Sequence, residues 1–420
     1  MYQKTTLDNG LRIITATMPH TQAVCVSFFI GVGSRYETET QAGISHFIEH
    51  LLFKGTPKRP TAKAISEAVE GTGGILNGGT DKELTVYWCK VAQSHLTLAL
   101  DVLADMLLHS SFDPQEIEKE RRVIIEEINM SKDSPAQQVH MLIDELLWPN
   151  HPLGRDIAGS KKSVTCITRD MMLDYLTNQY LPGNTVVAIA GNIQHQEVIT
   201  AINQTLGDWT TRRSQSGYIA CREQIAQRLI IETRDTEQVH LCLALPGLSL
   251  LHPKRFALDL LNIILGEGMS SRLFTEIRDR LGLAYSIHSY VDHLFDSGSV
   301  IIYAGVEPKN LKAVIDAILE QLHRLTEIVP ESELSKAKEL SKGRLLLRME
   351  DSRNVAGWMG GQEILTKRIL SINQVESIID AITAEELKQI AQELIVASQL
   401  RLAVVGPITG DEPLEELLKL

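Results

Sequence analysis

The chain is short of several features that would otherwise direct its reading. It has no run of about 18 apolar residues, so no segment is expected to cross a membrane as a helix. Its five cysteines, Cys25, Cys89, Cys166, Cys221 and Cys242, are scattered, odd in number and contain no C-x-x-C pair. That pattern argues against a disulfide framework or a thiolate metal site, and fits reduced thiols in a reducing compartment. Positive charge is scarce too: 41 lysines and arginines face 53 aspartates and glutamates, a net charge of -12. Nucleic acid and anionic membrane surfaces are therefore unfavourable partners, and cationic ones are favoured. Residues Met1 to Gly10 show neither an apolar signal core nor an arginine- and serine-rich transit character, so a cytoplasmic location is expected. A third glycine is missing from Gly266-Glu267-Gly268-Met269-Ser270-Ser271, which removes the dinucleotide fingerprint.

What is present is an ordinary globular composition, 44% hydrophobic and 22% charged over 420 residues. That length suits two or three domains. Leu11-Arg12-Ile13-Ile14, Val24 to Ile30 and Leu84 to Val91 read as strands, and Thr61 to Glu70 and Leu96 to His109 as helices. Asp113-Pro114-Gln115-Glu116 is an N-cap signal opening a helix to about Lys132. Ile167 to Gly191 aligns without a gap to Ile382 to Gly406, pairing Met172 with Leu387 and Val187 with Leu402. Two similar halves are expected, 1–215 and 216–420, joined by the polar stretch Thr210 to Glu223. Each half mixes strands and helices without βαβ alternation, which predicts an α+β fold of mostly antiparallel sheets packed with helices.

One stretch carries chemistry. His46, Glu49 and His50 stand at i, i+3 and i+4 and share a side of a helix, while Ile44, Phe47, Ile48 and Leu51 form its apolar side. Two neutral imidazoles one turn apart can share a zinc ion, with the glutamate placed to accept a proton from water. The matching helix of the second half, around Leu258 to Leu265, has no such residues, so only one half can hold the metal.

A third ligand is sought among Glu116, Glu118, Glu120, Glu126 and Glu127, on the helix from Pro114. Such a charge run is ordinarily a solvated face. Ile117, Ile124 and Ile128 mark the buried stripe, and Glu120 and Glu127, seven apart and about 20° from each other, flank it. Glu126 points the other way. Geometry thus selects Glu127, with Glu120 below it, as the carboxylates facing inward.

The H-x-x-E-H pattern followed by Glu127 matches the inverted zinc motif. With Gly33-Ser34-Arg35-Tyr36-Glu37, Phe53-Lys54-Gly55-Thr56 and Glu120-Arg121-Arg122-Val123-Ile124-Ile125-Glu126-Glu127, the chain resembles the pitrilysin-like inverzincin peptidases. It is most similar to half-size members related to the mitochondrial processing peptidase β subunit. The resemblance implies zinc on His46, His50 and Glu127, Glu49 as general base, and Glu120 as a supporting carboxylate. It places a substrate-pairing edge strand at Gly73 to Thr80, where composition alone divides evenly between strand and surface loop. There Asn77 contacts substrate near the scissile bond, and Gly78 replaces the family's usual alanine.

Arg278 and Tyr285 match the family's Arg/Tyr pair, which binds substrate backbone and stabilises the oxyanion; on pattern alone they mark a helix end. A half-size chain carrying both motifs implies a homodimer, each copy lending Arg278 and Tyr285 to the other's zinc site. The expectation is a zinc endopeptidase cutting short, unfolded, preferentially basic peptides in an enclosed dimeric chamber. The family's non-catalytic and respiratory-complex members are the alternative, as peptide-binding or structural subunits. Those commonly lack parts of the zinc motif or the glutamate pair, whereas here all five residues are present.

Overall fold

The computed structural model describes residues 2–209, 217–221, 227–408 and 414–419. Most of the stretch read as a linker, 210–223, lies outside the described residues. β1 (Tyr2–Thr6), β2 (Arg12–Thr17), β3 (Ala23–Ile30), β4 (Ile75–Thr80), β5 (Thr85–Ala92) and β6 (Thr185–Gly191) form one sheet, ordered β1-β2-β6-β3-β5-β4. β7 (Leu229–Thr233), β8 (Val239–Pro246), β9 (Ala284–His293), β10 (Gly298–Val306) and β11 (Arg401–Gly406) form the second, ordered β7-β11-β8-β10-β9. The helices that matter most here are α1 (Ile44–Leu52), α2 (Ala62–Glu70), α3 (Leu96–His109), α4 (Pro114–Asp133) and α5 (Pro135–Leu147). Among the described residues no helix is long and apolar enough to cross a membrane.

The α+β class and the internal repeat hold. With β1 set aside, the two sheets have the same strand order, one parallel pair each (β2 with β6, β7 with β11) and antiparallel pairs elsewhere. The helix Arg169–Gln179, the turn Pro182–Asn184 and β6 recur 215 residues later as Ala384–Leu394, Ala397–Gln399 and β11. Hydroxyl caps recur with them: Thr168 accepts from Met171 N–H, and Thr383 accepts from Glu386 N–H. Both positions were fixed by the sequence match, and the ladders extend it. Val187 pairs with Phe28, which pairs with Tyr87, which pairs with Gly78; Leu402 leads likewise to Leu243, Ile302 and Ser289.

The compact units differ from contiguous halves. The first comprises Met1–Ile128, Asp156–Ile219 and Leu346–Ser371; the second comprises Asn129–Arg155, Ala220–Leu345 and Ile372–Leu420. A division at residue 215 is therefore a division of sequence, not of space. Within the first unit, one sheet face packs on α1 and α3 through Phe28, Phe47, Ile48, Leu51 and Leu103. The other face is covered by the late helix Ser352–Thr366, whose Ala356 and Met359 meet Cys25, Phe29, Trp88 and Ala188. Buried Glu363 of that helix pairs with Lys4 at 2.6 Å and Arg12 at 3.3 Å. In the second unit α5 plays the corresponding part, with Val139, Ile143 and Leu146 against Cys242, Ala244, Tyr303 and Val405. Both faces of the central strands are thus buried, which explains why β3 and β6 read as continuous apolar runs rather than alternating ones.

Candidate active site

α1 is held from both ends of its own chemistry. Ile44, Phe47, Ile48, Leu51 and Leu52 are all buried. Each stabilises the helix by about 1.5–3 kcal/mol over an exposed placement. Its first turn is capped by Glu37, whose carboxylate accepts from Gly43 N–H at 2.7 Å and Ser45 N–H at 2.8 Å. A carboxylate at a helix N-terminus also suits the helix dipole. Gly43 has φ +93°, and a Cβ there would lie 2.4 Å from the Ala158 carbonyl oxygen, so only glycine fits. α4 starts at Asp113, which accepts from Gln115 and Glu116 N–H. Arg121 locks it in place by donating to the carbonyls of Val164 and Ile167, its guanidinium 5.3 Å from the Phe47 ring centre.

These two helices bring His46, His50 and Glu127 together. One ligand atom from each lies within 4.8 Å of the others. His46 Nε2 is 3.8 Å and His50 Nε2 3.7 Å from the same Glu127 oxygen, Oε2. Those separations are too long for hydrogen bonds, and one ion with bonds of about 2 Å spans them. The rings stand edge to face, centres 4.6 Å apart. Among the described residues His46 Nδ1 is buried with no hydrogen-bond partner. Burial, reinforced by the neighbouring His50, lowers the His46 pKa to about 4, leaving a neutral imidazole at neutral pH. His50 Nδ1 lies 3.0 Å from Glu120 Oε2; as donor there, it leaves the Nε2 lone pair facing Glu127. The donor set of two imidazoles and one carboxylate fits zinc with a position left open.

Glu49 sits beside this cluster. Thr80 of β4 donates to its Oε2 at 2.7 Å, and burial raises its pKa against the opposing pull of that hydrogen bond. A Cβ at Gly78 would come 3.1 Å from Phe53, 3.2 Å from Glu49 Cγ and 3.3 Å from Oε1, so glycine keeps the space around that oxygen open. β4 is the outermost strand of its sheet, which decides the even division between strand and loop in favour of strand. Asn77 on it is exposed and accepts from Gly78 N–H.

Arg278 and Tyr285 lie in the second unit and meet each other: the guanidinium stands 4.9 Å from the Tyr285 ring centre and 4.6 Å from that of Phe274. Tyr285 is the second residue of the edge strand β9 and is 78% exposed. Thr80, Glu37 and Arg121 were missed as site residues. Period-two alternation from Gly78 would have found Thr80; the other two act through contacts distant in sequence.

Comparison with known proteins agrees with this architecture. The profile of the insulinase family, Peptidase family M16, matches residues 12–161, and that of the Peptidase M16 inactive domain matches residues 167–341. The chain belongs to the M16 peptidase family, as a half-size, pitrilysin-like member. Among its relatives is the uncharacterised zinc protease YmxG of Bacillus subtilis, 35% identical over 98% of this chain and 100% of its own length. A protease from Helicobacter pylori shares the fold, with TM-score 0.91 at 24% identity over 97% of this chain and 99% of its own. A chain of Complex III2 from Candida albicans also shares it, with TM-score 0.83 at 19% identity over the full length of both.

Proposed function

We propose that this chain is a zinc-dependent endopeptidase that cleaves short, unfolded peptides. The observation that carries the reading is the meeting of three ligand atoms with a further group, the half-buried carboxylate of Glu49, beneath the open edge strand β4. His46 Nε2, His50 Nε2 and Glu127 would hold the metal. Zinc there supplies Lewis acidity, which makes a water nucleophilic near neutral pH and polarises a peptide carbonyl.

The chain's own groups do the rest. Substrate pairs in extended form along β4 at Asn77 and Gly78, a mode that reads backbone and tolerates many side chains. Glu49 Oε2 is occupied by Thr80, so Oε1 accepts the water proton as the water oxygen bonds to the carbonyl carbon. Glu49 then returns the proton to the leaving nitrogen as the C–N bond breaks. Tyr285, from a second copy of the chain, receives the charge that develops on the carbonyl oxygen, and Arg278 of that copy binds the substrate backbone. The exposure of Tyr285 on an edge strand supports its reaching a group outside its own unit. A homodimeric chamber follows, and the net charge of -12 favours basic peptides.

The test compares zinc-loaded wild type with Glu49→Gln on a quenched basic peptide of about 15 residues, long enough to cover both β-edge and metal. Cleavage by wild type that disappears in the variant while zinc stays bound supports the reading; no cleavage by either overturns it. Mixing Glu49→Gln with Tyr285→Phe tests sharing between copies. Activity that reappears supports the dimer, and silence despite subunit exchange rejects it.

A further inference from the structure

Glu120 has a partner that the proposed chemistry leaves unused. The carboxylate is 6% exposed, and both of its oxygens are committed: Oε2 to His50 Nδ1 at 3.0 Å and Oε1 to Lys54 Nζ at 2.7 Å. A buried carboxylate without a counter-charge is costly. His50 must be neutral to bind a metal, so it gives Glu120 a hydrogen bond and no charge. Among the described residues Lys54 is the lysine or arginine that pairs with Glu120. Its placement is built in: Phe53 continues the helical turn past α1, and Lys54 N–H donates to the Leu51 carbonyl at 3.0 Å. That leaves the lysine four residues beyond His50, on the side that faces α4.

We propose that Lys54 is a positioning residue of the metal site. By pairing with Oε1 it holds the Glu120 carboxylate in the orientation that receives His50 Nδ1–H, and so aims the His50 Nε2 lone pair at the position shared with Glu127. The same ion pair ties the end of α1 to α4, the two helices that carry the ligands between them. Lys54 touches neither metal nor substrate in this role; it acts through Glu120 on His50. The inference rests on the reading of His46, His50 and Glu127 as zinc ligands.

The experiment is a zinc dissociation constant, measured by chelator competition at one pH, for wild type, Lys54→Met, Glu120→Gln and the double variant, with His50→Ala as control. Thermal melts of the zinc-free proteins show that each is folded. Lys54→Met is expected to weaken zinc about 10–100-fold, the range for removing a group behind a ligand. In the Glu120→Gln background the same substitution should cost less than about threefold, because the pair it breaks is already gone. Should Lys54→Met fail to fold, Lys54→Gln takes its place in the same cycle. Wild-type affinity in the lysine variant, or an equal loss with and without Glu120, overturns the proposal. Wild type that binds no zinc, or binds it undiminished after His50→Ala, instead overturns the zinc reading beneath it.

Discussion

The two units present the same helix position in two chemical forms. α1 follows the second long strand of its sheet and packs against the edge strand β4; the helix Arg255–Gly266 follows β8 and packs against β9. In α1 three partly exposed polar residues, His46, Glu49 and His50, make up the side opposite the apolar one. In its counterpart the residues from Ala257 to Gly266 are buried apart from Asp259, and Asn262 is the buried polar side chain among them. The ladders equate Gly78 with Ser289. Glu49 crowds Gly78 where Asn262 accepts from the Ser289 hydroxyl at 2.6 Å. A duplicated scaffold therefore offers the same place twice. One copy has filled it with a closed amide–hydroxyl pair; the other keeps an ionisable carboxyl, a missing side chain and two imidazoles.

Four substitutions, two of them with a control in the second unit, sharpen or break this contrast. The largest effect is expected from His50→Leu, which makes α1 as apolar as its counterpart. Zinc should be lost on dialysis, by elemental analysis, and peptide cleavage with it. Next comes Gly43→Ala, which forces an L side chain into φ +93° against the Ala158 carbonyl. Its cost is about 1–3 kcal/mol or more by denaturant midpoint. The residue before the counterpart helix, Lys254, has φ -91°, so Lys254→Ala should change the midpoint little.

Importing the second unit's residue, Gly78→Ser, crowds Glu49 and should lower kcat/KM about tenfold or more, for overpacking of about 1–3 kcal/mol. The reverse change, Ser289→Gly, should leave catalysis intact.

The smallest effect concerns His293, at the end of β9. It bonds the Leu248 carbonyl and Asp259, and although burial opposes it, the aspartate and that carbonyl raise its pKa. A raised folded-state pKa stabilises below the ordinary value near 6.5 and fades as pH climbs through the raised one. His293→Gln should therefore cost about 1 kcal/mol at pH 5.5 and less at pH 8.5, read from paired denaturant midpoints. An equal cost at both values would exclude the charged pair.

How far these features were legible depends on range. The imidazole pair and Glu127 rest on angular spacing along single helices, a local property, and α1 and α4 place them as the spacing requires. The 215-residue repeat was readable because buried strands and capped helices keep their apolar and hydroxyl positions. The strand at Ile75–Thr80 was undecidable from composition, since four of the eight residues from Gly73 to Thr80 are glycine, which favours loops as much as edges. Thr80 and Lys54 were invisible as partners, because a hydroxyl and an ammonium gain meaning only from carboxylates that folding brings to them. The exchanged helices were invisible for a related reason. Periodicity says which face of Ser352–Thr366 is buried, and says nothing about which sheet it covers.

That exchange bears on how the protein is made. When β6 leaves the ribosome the first sheet has all its strands, yet one apolar face lacks its cover until Thr366 is synthesised. At about 5–20 residues per second, the 175 residues from Gly191 to Thr366 take roughly 10–35 s. Through that interval Phe29 and Trp88 line an open hydrophobic surface, and α5 waits still longer for β11. Exposed apolar surface of this kind is what makes nascent chains prone to aggregation, and neither half of the sequence contains all the segments of one compact unit.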